Sequence, residues 1–478
     1  MAGVGFELKK MFRNDREYSS RVKAFYTSAV VTQGPMILSI IMFLAIKTLL
    51  KVAGSLEEEQ NFFIGAMTYI MVFSLLFSGI INMFMSRYIS DCIYKENLED
   101  ALSAFYGGVV FCLILGGVIA LVFISQLETN IVNKAILFLD FDMMLVIWLQ
   151  MTLLSAIRKY KNIVVGFTVA VVLGIASTVG LMYIKVSLIT AAFTGITVAN
   201  MIIFIVFMIE IHKFYPRKQQ LDILNMLPAL DNKMDLVYIG VLTYVGMFGH
   251  NIVMWLGDNG TNVENNIRIC FEYDIPSFYA VISIIPMLVM FAVSLETELY
   301  VATREYFGDV ENGKKYREIL GKYDKLKLTL NRELVKLVLI QAMVTIAATI
   351  IFTPLLRKTG MTGEEIGTYR MLCVGYFFYG LQTAVVTVLL YFDDRKGAFT
   401  IVSIFAACSL ISTFITVMLG SKFYGTGFYL SAIVGCVISI IRLINYIKHF
   451  SYNVFCKQPI YMQTALGKFT RLYNKMGK

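Results

Sequence analysis

Acidic residues stand at both ends of one long apolar segment, YDIPSFYAVISIIPMLVMFAVSLETELY (residues 273–300). Asp274 lies near its start and Glu296 near its end, and no charged residue separates them. A helix between these two acids is about 33 Å long, the thickness of a bilayer core. Pro286, near the middle, predicts a kink, which is either a packing feature or a bending point of a transporter. All three residues are candidates for a transport path or gate.

A second charged group lies in the segment MSRYISD, where Arg87 and Asp91 are one helical turn apart. If the two halves of the chain are repeats, this segment is equivalent to the segment that ends in Glu296. Opposite charges at equivalent ends predict a cytoplasmic gate. The alternative is that each charge extends separately to the lipid–water boundary.

Polar side chains inside the other apolar segments are few, and each is costly in hydrocarbon unless it has a partner or a function. His250, next to Asn251, is a titratable group near the middle of its segment, and core packing and function are equally good interpretations of it. The remaining candidates for a transport path or gate are Asn82 and the helix break at Gln33 and Pro35. We identify no Asp or Glu at mid-span, which argues against a proton relay through a deep carboxylate. Amides expected to form interhelical hydrogen bonds are Gln150, Asn200, Gln341 and Gln382.

Nucleotide, metal and nucleic-acid sites are not indicated. GDVENGKK (residues 308–315) has the spacing of a phosphate-binding loop, but Lys315 stands where Ser or Thr would bind Mg²⁺ and no strand precedes it. The 7 cysteines form no C-x-x-C pair and only 3 histidines are present, so we predict no metal site and no cofactor. The net charge of +9 is not accompanied by a nucleic-acid-binding motif. We therefore expect neither an enzyme nor a nucleic-acid-binding protein.

The composition is that of a polytopic membrane protein, with 58% hydrophobic residues, 16% charged residues and a mean hydropathy of +0.69. Apolar runs of about 20 residues predict twelve transmembrane segments. All are expected to be helices, because an unpaired backbone group is too costly in hydrocarbon. The predicted spans are 24–49, 62–90, 101–125, 136–157, 162–184, 187–210, 236–257, 275–296, 333–355, 367–392, 398–419 and 424–447.

Charge distribution predicts the orientation and the domains of this all-α protein. Most of the 42 Lys and Arg residues lie on alternate connections, which places both termini in the cytoplasm. The cytoplasmic linker 212–235 then divides the chain into two six-helix lobes, 24–211 and 236–448, related as parallel repeats. A basic helical hairpin at 297–332 projects into the cytoplasm. The terminal segments are a basic amphipathic segment on the membrane surface, 1–23, and a basic tail, 449–478.

Four segments carry a family resemblance: MAGVGFELKKMF at the N terminus, SRYISD, LSAIRKYK, and YDIPSFYAVISIIPMLVMFAVSLETELY. They resemble the PelG family, the inner-membrane transporters of Pel exopolysaccharide systems within the multidrug/oligosaccharidyl-lipid/polysaccharide flippase superfamily. The length and the twelve-span layout agree with this family. Span 7 departs from the expected pattern, because GHNIVMW stands where a charged pair would be expected.

The resemblance implies a multi-pass inner-membrane protein that translocates a hexosamine-rich, Pel-type polysaccharide. It implies three kinds of partner: a cytoplasmic glycosyltransferase, other Pel-type membrane subunits including a cyclic-di-GMP receptor, and membrane lipid. The span containing Pro286 would line a cavity between the lobes, and the hairpin 297–332 would dock the synthase. Two alternatives remain: a cation-coupled multidrug exporter or lipid-linked oligosaccharide flippase of the same fold, and a non-transporting scaffold of a polysaccharide synthase.

Overall fold

The computed structural model describes residues 38–157, 160–216, 222–264, 266–456 and 467–476, without the side chains of residues 156–157, 160–163, 296 and 297. Within these residues, 11 helices are long and apolar enough to cross a membrane. They coincide with the second to twelfth predicted spans. The helix at residues 38–52 covers the end of the first predicted span, whose Gln33 and Pro35 lie outside the described residues, as does the segment 1–23.

The described chain forms two compact units, which we call the N-unit (residues 38–270 and 467–476) and the C-unit (residues 271–456). The division into lobes at the linker 212–235 stays a prediction. The N-unit contains α1 (residues 38–52), α2 (Glu57–Tyr94), α3 (Leu98–Ser125, with a π-helical turn at Leu113–Gly117), α4 (Ile131–Ile157), α5 (Tyr160–Tyr183), α6 (Leu188–Phe214), α7 (Leu227–Leu230), α8 (Met234–Leu256), β1 (Thr261–Glu264) and β2 (Ile267–Ile269).

Small residues bring α2 and α8 into close contact. A Cβ atom added to Gly240 would lie 2.3 Å from the carbonyl oxygen of Gly79, and one added to Gly79 would overlap the ring of Tyr244. Only glycine at both positions permits this backbone approach. Helix–helix association in membranes depends on such close packing, because lipid supplies no hydrophobic driving force.

The antiparallel hairpin β1–β2 is fixed to the first half of α2 by a tyrosine. The Tyr69 hydroxyl donates to the carbonyl of Arg268 and accepts from its N–H, each at 3.0 Å. The Tyr69 ring stacks on Trp255, with centroids 4.8 Å apart. Arg268 donates in turn to the carbonyls of Gly257 and Gly260, at 3.1 and 2.9 Å. One guanidinium nitrogen of Arg268, Nη2, therefore binds both of these carbonyls.

The C-unit is also helical. It contains α9 (Phe271–Ile282), α10 (Ile285–Ser294), a π-helical turn (Leu295–Leu299), α11 (Tyr300–Glu311), α12 (Tyr316–Ala347), a second π-helical turn (Ala348–Phe352), α13 (Thr353–Lys358), α14 (Gly363–Tyr391), α15 (Arg395–Leu419), a 3₁₀ turn (Ser421–Phe423), α16 (Thr426–Lys448) and a third π-helical turn (Tyr452–Cys456).

Helices α11 and α12 form a hairpin around the turn within GDVENGKK, so this segment is not a nucleotide-binding loop. Glu305 on α11 accepts from Lys322 and Lys325 on α12, at 2.9 and 2.8 Å. The rings of Tyr306 and Tyr323 pack together around Phe450, which follows α16. Ion pairs and aromatic packing thus hold the hairpin together and against the end of the last span.

Helix α17 (Lys468–Met476) belongs by its contacts to the N-unit. Asp231, after α7, accepts from the N–H groups of Phe469 and Thr470, at 3.0 and 2.9 Å. Asp222 accepts from the hydroxyl of Tyr473. The linker thereby supplies an acid to the N-terminal end of α17, where the unpaired backbone donors favour a negative charge.

Candidate transport-path groups

A buried carboxylate lies inside the N-unit, on α4. Asp140 is 1% exposed and lies about 13 Å along the helix axis from Ile131. The side-chain amide of Asn200, on α6, donates to it at 2.8 Å. The Thr197 hydroxyl lies within hydrogen-bonding reach of the same carboxylate and of the Phe193 carbonyl. About two turns nearer the start of α4 than Asp140, and about two turns before Thr197 on α6, the Thr190 hydroxyl donates to the Asn133 side-chain oxygen at 2.8 Å.

The Asp140 carboxylate has no basic partner among the described residues; its neighbours there are an amide and a hydroxyl. A carboxylate at this depth is very costly unless a proton or a cation neutralises it. The expectation that no deep acid exists was therefore wrong. The error has a simple cause: the apolar run begins at residue 136, which placed Asp140 near the boundary, whereas α4 begins at Ile131 and carries the acid well inside the helix.

A second acid of α4, Asp142, faces α3. A Cβ atom added to Gly117, in the π-helical turn of α3, would lie 2.9 Å from its Oδ1. This oxygen is buried and has no hydrogen-bond partner within the described part of the chain. The glycine therefore provides the space that the carboxylate occupies. Two acids two positions apart point to different sides of α4, so Asp140 and Asp142 are separate sites.

His250, Asn251 and Asn82 lie on α8 and α2. His250 is completely buried and hydrogen-bonds to the carbonyl of Met247, one turn earlier. Asn251 is half-buried. The Asn82 side-chain oxygen lies 3.4 Å from the hydroxyl of Thr152 on α4. Their roles in transport stay predictions, and the contact of Asn82 fits an interhelical hydrogen bond.

Arg87 and Asp91 form the expected ion pair at the end of α2, with Arg87 Nε 3.4 Å from Asp91 Oδ1. The Lys233 ammonium, immediately before α8, binds the other oxygen of Asp91. Asp91 therefore joins the end of α2 to the start of α8. The proposed partner across a gate, Glu296, has no described side chain, so that gate stays a prediction.

The span that contains Pro286 is interrupted, as its sequence predicts. Helix α9 ends at Ile282 and α10 begins at Ile285, with Pro286 in its first turn. Gln341, on α12, donates to the freed carbonyl of Ser283 at 3.0 Å. A broken helix persists in lipid only if its freed backbone groups are satisfied in this way. Asp274 is half-buried in the first turn of α9, where the helix dipole favours an acid.

Buried acids of the C-unit have basic partners. Asp394 accepts from Arg442 Nε and Nη2, both at 2.7 Å. Glu333 accepts from Lys336 at 2.7 Å and from Ser294 at 2.8 Å. Within the described ranges, no three His, Cys, Asp or Glu side chains are arranged to hold a metal ion.

A family model described as PelG, "Putative exopolysaccharide Exporter (EPS-E)", matches residues 1–455. The chain belongs to the PelG family. This match spans both units and the buried acid of α4. No curated protein matches the chain.

Solved structures show the same fold as this PelG-family chain. A MOP superfamily transporter from Pyrococcus furiosus is 13% identical with a TM-score of 0.63, covering 90% of this chain and 96% of the other. An outward-facing multidrug resistance MATE transporter is 14% identical with a TM-score of 0.59, covering 89% and 96%. An inward-facing one is 14% identical with a TM-score of 0.58, covering 88% and 99%. The chain is therefore a multi-pass membrane protein with a MOP transporter fold, and family and fold indicate a transporter rather than an enzyme.

Proposed function

We propose that the protein translocates a hexosamine-rich, Pel-type polysaccharide across the inner membrane while a cytoplasmic glycosyltransferase synthesises it. The family match over residues 1–455 is the observation that carries this proposal. The transporter fold supports movement of a cargo over a scaffolding role, because that fold is shared with exporters at low sequence identity.

The Asp140 group is the proposed point of energy coupling. Its carboxyl group must hold a proton or a cation to remain buried between α4 and α6 at low cost. Binding and release of that ion would change the charge in the N-unit by one unit, which can bias a conformational equilibrium. The same observation favours the second candidate, a cation-coupled exporter of small molecules, since the argument against it rested on an absence of deep acids.

The hairpin α11–α12 is the proposed dock for the glycosyltransferase. Its internal ion pairs use Lys322 and Lys325, whereas Lys314, Lys315 and Arg317 are exposed near its tip. The exposed group is available to an acidic surface of a partner. Replacement of these three residues by Glu should abolish co-purification with the glycosyltransferase and leave the fold intact. Replacement of Lys422, an exposed lysine outside the hairpin, is the matched control.

Inverted membrane vesicles test translocation. Vesicles containing this protein and a Pel-type glycosyltransferase receive labelled UDP-sugar, and the polymer is then challenged with glycosidase. We expect polymer that is protected inside the vesicles, with protection lost when the protein is omitted. Polymer that is made but remains digestible would refute translocation and favour the scaffold. Ion-dependent dye efflux without polymer protection would favour the small-molecule exporter.

A further inference from the structure

A cavity of about 560 Å³ opens in the C-unit where α13 meets the beginning of α14. One wall comes from the π-helical turn at Ala348–Phe352 and from α13, and the other comes from α14. The cavity is lined by Thr349, Ile350, Thr353, Pro354, Arg357 and Arg370. It therefore combines two guanidinium groups with two hydroxyl groups, and no acid lines it.

The two arginines have few partners in the protein. Arg370 Nε lies 3.3 Å from the hydroxyl of Thr353, which is itself buried and donates to the Thr349 carbonyl at 2.6 Å. Within the described residues, the Arg357 side chain forms neither an ion pair nor a hydrogen bond, and Arg370 has no carboxylate partner. A guanidinium carries five donors in a planar fork. Arg268 Nη2 donates to two backbone carbonyls, whereas Arg357 and Arg370 are exposed and most of their side-chain donors have no acceptor among the described residues.

The surface beside the cavity is apolar and open. Ile350, Ile351 and Phe352 each expose more than half of their surface. They lie at the end of a transmembrane helix, so in a bilayer they contact acyl chains. A ligand that suits this site carries an anionic group for the arginines and hydrocarbon for the adjoining surface. A single guanidinium can bind phosphate through two parallel hydrogen bonds, and basic pockets between transmembrane helices bind lipid headgroups.

We infer that this cavity binds the phosphate of an anionic phospholipid. Another cavity, in the N-unit, shows what distinguishes the arginine cavity. The N-unit cavity measures about 530 Å³ and also lies beside exposed apolar residues of α6, but its basic residues are already paired. Lys213 binds Glu210 at 2.8 Å, and His212 hydrogen-bonds to the Tyr106 hydroxyl at 2.9 Å. Lys213 therefore provides a matched control. The lipid site is independent of the proposed translocation.

Native mass spectrometry of the full chain in detergent tests the inference with three probes: dioleoyl phosphatidylglycerol, dioleoylglycerol and inorganic phosphate. We expect the wild type and Lys213→Gln to retain one phosphatidylglycerol, and Arg357→Gln/Arg370→Gln to bind it about tenfold more weakly or worse. Dioleoylglycerol should show no such difference. If the double variant does not fold, Arg357→Gln alone replaces a side chain that has no ion pair or hydrogen bond among the described residues, and it should still weaken binding.

Three results would overturn the inference. Equal retention of phosphatidylglycerol by the arginine variants and the wild type would show that the arginines do not hold it. Equal retention of dioleoylglycerol would show that acyl chains alone determine binding. Displacement of the lipid by inorganic phosphate at equal concentration would assign the site to a free anion instead.

Discussion

Asp140 is the residue at which the structure makes the sharpest prediction about coupling. The change to Asn keeps the size of the side chain and the oxygen that accepts from Asn200, but removes the exchangeable charge. The change to Leu removes the acceptor as well. If Asp140 exchanges an ion during transport, both variants should lose the ion dependence of polymer translocation, although they should differ in stability.

The expected stability effects follow from the hydrogen bond. Asp140→Asn should change the free energy of unfolding by less than about 1 kcal/mol, because the 2.8 Å contact with Asn200 can persist. Asp140→Leu leaves the Asn200 amide unpaired in an apolar interior and should cost about 0.6 to 1.7 kcal/mol, the range for interhelical hydrogen bonds in membranes. Combining Asp140→Leu with Asn200→Leu should recover part of that loss, because no unpaired donor remains.

The assay is glycosidase protection in inverted vesicles, measured with and without an imposed proton or sodium gradient. The wild type should accelerate with one of these gradients, whereas Asp140→Asn should give the same rate in all conditions. Thermal unfolding in detergent establishes that the variant is folded. A folded Asp140→Asn protein that still responds to the gradient would refute the assignment of the coupling ion to this carboxylate.

Three further predictions concern the C-unit. Hydrogen bonds from Lys322 and Lys325 on α12 lower the pKa of Glu305 from 4.5 to about 2. The contribution of the Glu305 ion pairs to the free energy of unfolding should therefore be complete above about pH 4.5 and lost as the pH falls through about 2. This contribution should be less than about 1 kcal/mol, because the ion pairs are partly exposed. Comparison of amide hydrogen exchange in the hairpin between Glu305→Gln and the wild type measures it. Gln341→Leu leaves the Ser283 carbonyl unpaired and should lower stability by about 0.6 to 1.7 kcal/mol in thermal unfolding. Asp394→Asn leaves Arg442 without its counter-charge and should cost up to about 3 kcal/mol, and Asp394→Asn combined with Arg442→Gln should recover part of it.

Much of the fold could be predicted from local physical chemistry. Each apolar run long enough to cross a bilayer is a helix within the described chain, because hydrocarbon permits few other backbone arrangements. The interruption at Pro286 was also predictable, because proline lacks the N–H that would bind the carbonyl one turn back. The π-helical turn at Leu113–Gly117 was not predictable, because no local residue requires it and its contact with Asp142 comes from another helix.

The candidate site was harder to predict than the fold. Arg87 and Asp91 could be paired from their spacing, but Lys233 lies far away in the sequence and only the packing of the linker shows that it shares Asp91. The burial of Asp140 depends on where α4 begins, and an acid within four positions of the edge of an apolar run is ordinarily taken to be interfacial. Asn200, predicted to form an interhelical hydrogen bond, was the available signal, although its acidic partner could not be identified from one sequence.

The buried acids of the two units differ in how they are neutralised. In the C-unit, Asp394 and Glu333 are each neutralised by a basic side chain, so their charge is fixed by the fold and need not change during transport. In the N-unit, Asp140 is buried to the same degree but contacts only an amide and a hydroxyl in the described structure. The buried acids of the described residues are Asp140, Glu210, Glu333 and Asp394, and Asp140 is the one among them without a basic partner. Its ionisation is therefore the one that can vary between states. Asp394→Asn should therefore lower stability and leave the response to an ion gradient unchanged. Asp140→Asn should leave stability nearly unchanged and abolish that response. The opposite pattern, a lost gradient response in folded Asp394→Asn, would place the coupling in the C-unit.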